Sequence, residues 1–177
     1  MKTAFFLLVA CAVFAPSVQA ANPAAPSAAT VRAEVVYVAP ENFTDVRDSY
    51  TGSDAGRDAI LDELREYFVD QARRHVPADA KLYVSVSDVD LAGEYEPWRG
   101  PNWDDVRVVK DIYPPRISLT YRVASADGQI LKEGKSDLRD LSFLMKITGT
   151  FRDDPLRHEK TLINDWFRET FRGAGRK

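Results

Sequence analysis

Between Leu82 and Ser87 the chain alternates strictly, and just beyond it the alternation reverses. Leu82, Val84 and Val86 share one parity, and Tyr83, Ser85 and Ser87 share the other. That period of two is the signature of a half-buried strand, here expected at the centre of a sheet. Then Asp88 and Asp90 take the parity of the apolar residues, and Val89 and Leu91 take the opposite one. A strand cannot keep one face buried through such a reversal. Either a bulge lies near Ser87–Asp88 or the strand ends there. Gly93 then permits a turn, and Pro97, Gly100 and Pro101 exclude a helix across the loop that follows. Tyr95, Trp98 and Trp103 are interleaved there with Glu94 and Glu96.

The elements around this strand follow from pattern and punctuation. Val31–Val38 alternates in its first half and is apolar on both faces in its second, which places it in the sheet interior. Asp54–His75 carries Ile60, Leu61, Leu64, Tyr67, Phe68 and Ala72 as one stripe at helical spacing. Ser53 or Asp54 caps that helix, basic residues complement its last turn, and Pro77 stops it. A strand from Lys81 to about Asp88 follows. Strand, helix and strand with short joins imply a parallel crossover. Val106–Ile112 reads as a further strand, interrupted by Tyr113-Pro114-Pro115. Arg116–Val123 places Ile117, Leu119, Tyr121 and Val123 on one face. Ser125–Gly128 is a hairpin turn, and Gln129 to about Asp137 is the returning strand. Asp140–Ile147 suits a short helix. The last helix is expected to be capped by Asp154 with Pro155 at its first position. Leu156, Ile163, Trp166, Phe167 and Phe171 form its stripe, and Gly173 ends it.

The order β-α-β-β-β-β-α predicts an α+β two-layer sandwich. Its mixed sheet of about five strands carries both long helices on one face. The other face keeps the polar parity, including Ser85, Ser118 and Thr120.

Residues 1–20 read as a secretory leader. Lys2 is followed by an apolar run from Ala4 to Ala15, and Val18 and Ala20 supply small residues before a cut between Ala20 and Ala21. The run is too short for a membrane span of about 20 residues. Leu8-Val9-Ala10-Cys11 also has the form of a lipobox, though the run ahead of Cys11 is short for a lipoprotein signal. The expected location is therefore periplasmic, with lipid anchoring at Cys11 the lesser alternative. Residues 21–30 form an uncharged Ala/Pro-rich spacer, and residues 31–173 a single domain. Cys11 is the only cysteine, so a chain cut after Ala20 has no disulfide and no thiolate zinc site and depends on its core. The formal net charge is −3 and becomes one unit more negative without Lys2, which disfavours nucleic acid and anionic membranes as partners.

Several segments together are similar to one family. They are Asp88-Val89-Asp90-Leu91-Ala92-Gly93-Glu94, Val106-Arg107-Val108, Asp111-Ile112-Tyr113-Pro114-Pro115-Arg116, and Glu159-Lys160 followed by Asp165-Trp166-Phe167. The set resembles the proteobacterial envelope family known as domain of unknown function 3016, over roughly Val31 to Phe171. That family has no established activity. The resemblance implies an exported single domain, and no catalytic or binding residue carries over from it.

Motifs for chemistry mostly fail. Asp88-x-Asp90 with Gly93 begins like a calcium loop, but the fifth and twelfth loop positions, where the third oxygen ligand and the bidentate acid belong, hold Ala92 and Arg99. A looser divalent site from Asp88, Asp90, Glu94 and Glu96 is set against a solvated strand end whose acids cap backbone donors. His158-Glu159 opens a zincin motif, but Leu162 occupies the second histidine position. No G-x-S-x-G and no phosphate-binding Gly-rich loop occurs, and no motif implies a cofactor. Acid pairs such as Asp88/Asp90 or Asp104/Asp105 are common on surfaces. Tyr113–Arg116 reads as a kink between strands before it reads as a polyproline ligand.

The stronger lead is the aromatic loop. Asp88, Asp90, Glu94, Tyr95, Trp98 and Trp103 form the candidate binding site, a platform for a peptide or sugar. The competing expectation is that Trp98 and Trp103 fold back over the sheet edge, the commoner fate of large aromatics. The functional expectation is a non-catalytic exported binding or scaffold domain for an envelope protein or cell-wall ligand. The alternative is a hydrolase or divalent-metal-dependent enzyme using Asp88, Asp90 and Glu94.

Overall fold

A computed structural model describes residues 32–100, 103, 105–146 and 153–172. The leader, Cys11, the Ala20–Ala21 junction, the spacer at 21–30, Asp104 and Gly173 lie outside the described residues. The elements run β1 (Ala33–Tyr37), α1 (Asp54–His75), β2 (Ala80–Asp90), β3 (Glu94–Tyr95), β4 (Arg107–Val108), β5 (Arg116–Ser125), β6 (Ile130–Arg139) and α2 (Arg157–Thr170). Short 3₁₀ turns occupy Pro40–Asn42, Pro97–Arg99 and Phe143–Met145.

The α+β class is as expected. The main sheet has four strands in the order β1-β2-β5-β6, with β1 parallel to β2 and the other pairs antiparallel. β3 and β4 form a separate two-stranded ribbon. The segment Val106–Ile112 therefore gives only Arg107–Val108 as strand and leaves the main sheet, because the following prolines remove ladder donors.

The reversal near Ser87 is a bulge. Val86 pairs with Leu119 and Asp88 with Ser118, leaving Ser87 as the extra residue. Val86 and Val89 are thus both buried, although their parities differ. Beyond the bulge, Asp88 and Asp90 point to the face away from Val89.

One face of the sheet meets both helices. Val35, Leu82, Val84, Val86, Ile117, Leu119 and Val123 pack against Leu61, Leu64, Phe68, Ile163 and Phe167. Ser53 caps α1, its hydroxyl accepting the Gly56 N–H at 2.9 Å. Trp166 stands edge-on to Tyr121 with ring centres 5.4 Å apart, and its indole N–H donates to Ser136 Oγ at 3.2 Å. α2 begins at Arg157, later than the Asp154–Pro155 pair suggests. Asp154 instead accepts the Leu156 N–H at 2.8 Å and the Lys160 ammonium at 2.5 Å, so it stabilises the turn before the helix.

β1 lies at the edge of the sheet and not inside it. Its second apolar parity, Val36 and Val38, is exposed at 51% each. The face bearing Tyr83, Ser85, Thr120 and Arg122 is open and forms a shallow concavity of about 560 Å³.

Candidate functional site

The loop from Leu91 to Tyr113 leaves the end of β2 through Gly93, whose φ is +85°. A Cβ there would lie 2.9 Å from the Val108 carbonyl oxygen, so only glycine lets β3 turn back onto β4. Two backbone donors fasten the turn. Gly93 N–H donates to the Tyr113 carbonyl at 3.0 Å, and Ala92 N–H donates to Glu159 Oε1 at 2.6 Å.

Beneath the ribbon lies a buried ion cluster. Asp45 is 4% exposed. Its carboxylate accepts from Arg107 Nη1 at 2.9 Å, Arg107 Nη2 at 3.2 Å and Arg47 Nε at 2.8 Å. Arg107 also donates to the carbonyls of Gly93 and Arg47, and its guanidinium lies 4.6 Å from the centre of the Tyr95 ring. Burial disfavours the Arg107 charge, but the hydrogen bonds it donates to Asp45 and the charge of that carboxylate more than offset this, and its pKa is raised. Arg47 reaches on to Glu94 at 2.7 Å.

The next residue anchors the loop's outer part. Glu96 is 1% exposed and accepts from Lys110 at 2.6 Å, from the Tyr113 hydroxyl at 3.1 Å and from Arg99. The Lys110 hydrogen bond leads in holding its pKa below the ordinary carboxylate value, against the effect of burial. Two residues on, Trp98 sits in the 3₁₀ turn with 72% of its surface exposed. The Arg99 guanidinium lies 5.2 Å from the centre of the half-buried Trp103 ring.

The structure therefore separates the predicted site residues. Tyr95 is 5% exposed and forms part of the platform's underside. Trp98 stands in solvent and Trp103 is only partly covered, so the expected folding back of both rings fails for Trp98. Asp88 accepts from the Thr44 N–H at 2.7 Å, the Thr44 hydroxyl at 2.8 Å and Arg116 at 2.9 Å. Asp90 lines a cleft of about 300 Å³ with Glu94, Tyr113, Arg116 and Arg139. Burial raises the pKa of Asp90, and Arg116 opposes that rise. Asp88 and Glu94 are each ion-paired to arginine, and among the described residues no group of three His, Cys, Asp or Glu side chains is placed to hold a metal. His75 stacks on Phe167 and His158 meets Phe143 edge-on, so neither serves the acidic cluster.

Sequence reasoning missed Asp45, Arg47, Arg107, Lys110 and Glu159. One signal was available. Glu159 falls in the apolar register of α2 between Leu156 and Ile163, which marks an acid aimed into the core.

The fold and site together define an α+β domain with a braced, aromatic-tipped loop at one end of its sheet. The chain belongs to the family described as Protein of unknown function (DUF3016), whose profile matches residues 31–169. No curated protein matches the sequence. No helix of the described residues is long and apolar enough to cross a membrane.

Proposed function

We propose that this is an exported, periplasmic, non-catalytic binding or scaffold domain that captures an envelope protein or cell-wall ligand through the Glu94–Trp103 loop. The exposure of Trp98 carries this reading. A large aromatic left 72% in solvent contributes little to folding, yet the backbone that presents it is fixed by Glu96 and its three donors. Such preorganisation lowers the ordering cost of association, and Trp is among the residues enriched at the energetic centres of interfaces. The leader-like residues 1–20 support export.

The hydrolase or metal reading has less support. It needs Asp88, Asp90 and Glu94 to converge, and arginines occupy two of the three.

Trp98→Ala tests the proposal, because the side chain touches little of the fold. The chain is expressed from its full-length gene, and crosslinked partners are captured from the envelope. The native chain is expected to hold a partner that the variant loses, with melting temperature unchanged. Loss of one anchor of this kind weakens binding by about 2 kcal/mol or more, roughly thirtyfold. Equal capture by both chains, or no partner for either, would defeat the reading.

A further inference from the structure

The cleft lined by Asp90 holds charged groups that the fold leaves unanswered. Asp90, Arg116 and Arg139 are register partners on three neighbouring strands, β2, β5 and β6. Their side chains therefore stand in one row on the face away from the helices, with Arg116 in the middle.

Arg116 pairs with Asp88 at 2.9 Å through Nη2. Its Nε–H is buried and has no acceptor, an uncommon state for a buried donor. Arg139 is exposed and Asp90 half-buried, and among the described residues neither side chain makes a hydrogen bond or an ion pair. Two arginines directly opposite one another on antiparallel strands repel, which favours an anion between them. At the other end of the row, Glu94 commits Oε1 to Arg47 and to the Tyr95 N–H, and its Oε2 makes no hydrogen bond.

The cleft measures about 300 Å³, at the lower end of the range for small-molecule sites. Ile112, Tyr113 and Pro114 form one wall. That wall is held in place, because the Tyr113 carbonyl accepts from Gly93 N–H at 3.0 Å and the Tyr113 hydroxyl donates to Glu96 at 3.1 Å. Ile112 is 66% exposed and, with Pro114, gives the wall an apolar rim. One small cleft thus combines a cationic end, an anionic end and an apolar side.

We propose that this cleft binds a free zwitterionic α-amino acid with an apolar side chain. Arg116 Nε–H and the Arg139 guanidinium hold its carboxylate, and Asp90 and Glu94 hold its ammonium. Its side chain lies against Ile112 and Pro114. A simple anion would leave Asp90 unanswered, and a simple cation would leave Arg139 unanswered, so the two charges together select a zwitterion.

The probe is L-leucine, titrated into the full chain by isothermal calorimetry. Its two controls are 4-methylpentanoate, which lacks the ammonium, and isoamylamine, which lacks the carboxylate. L-leucine is expected to bind and both controls to bind about tenfold more weakly or worse. Arg139→Gln and Asp90→Asn should each weaken L-leucine by a similar factor. Arg139→Gln alters an exposed side chain without partners, so it decides the matter if Asp90→Asn does not fold. No heat with millimolar L-leucine, a control that binds as tightly as L-leucine, or a folded variant that binds it as tightly as the native chain would each overturn the assignment. The result is independent of capture through Trp98.

Discussion

Replacing Asp45 with Asn removes the anion from beneath the ribbon while keeping its shape. Three hydrogen bonds from two guanidiniums then lose their charged acceptor. The Arg107 side chain is 18% exposed and Arg47 is 34% exposed, so the first suffers most and the second is partly resolvated. Breaking one partner of a buried pair costs about 3–5 kcal/mol, and solvent access at Arg47 argues for the lower end, about 3 kcal/mol. For a domain of this size that is a fall in melting temperature of roughly 10 °C. Urea unfolding followed by circular dichroism measures the loss directly. A second variant separates charge burial from shape. Asp45→Leu with Arg107→Met removes the stranded cation along with its partner, and it should recover part of the stability lost by Asp45→Asn. If Asp45→Asn stays within about 1 kcal/mol of the native chain, or if the double variant is less stable than the single, the cluster is not the brace inferred here.

Two further outcomes test the loop's attachment. Glu159 is 1% exposed, its Oε2 has no hydrogen-bond partner, and burial raises its pKa above the ordinary carboxyl value, opposed by the Ala92 N–H. Its raised folded-state pKa means that its stabilising contribution is complete below the unfolded value and is lost as pH rises through the folded one. Glu159→Gln should therefore remove that loss, so that the variant gains on the native chain as pH increases; denaturant midpoints taken across the acid-to-neutral range measure it, and a constant difference would refute it. Gly93→Ala places a side chain at φ +85° and against the Val108 carbonyl. It should cost about 1–3 kcal/mol and speed amide exchange in β3 and β4, and a neutral result would mean that the turn has another conformation open to it.

The helices and central strands were legible because burial imposes a period. Leu61, Leu64, Phe68 and Ala72 are buried where helical spacing puts them, and Ile117, Leu119 and Val123 where a strand puts them. The edge position of β1 was not legible, and the reason is physical. Apolar residues on both faces report how much surface a strand could bury, not how many neighbours cover it. An interior strand and an edge strand with exposed apolar residues look alike in sequence, and Val36 and Val38 belong to the second kind.

The site divides in the same way. Its loop was visible from Gly93, Glu96 and Trp98, but the groups that hold the loop come from far along the chain. Arg107 and Asp45 are 62 residues apart, and Glu159 is 67 residues from the Ala92 amide it accepts. No local period encodes such pairs, because each is created only when the sheet forms. The bulge at Ser87 links the two levels. By shifting the phase, it keeps Val89 in the core while turning Asp88 and Asp90 to the other face, toward Thr44 and Arg116. Had Val86 been followed by a regular strand of the same sequence, Val89 would face solvent and both acids would be driven against α1 and α2. The sequence reversal at Ser87 is therefore where the strand stops serving only the core and begins to position the loop.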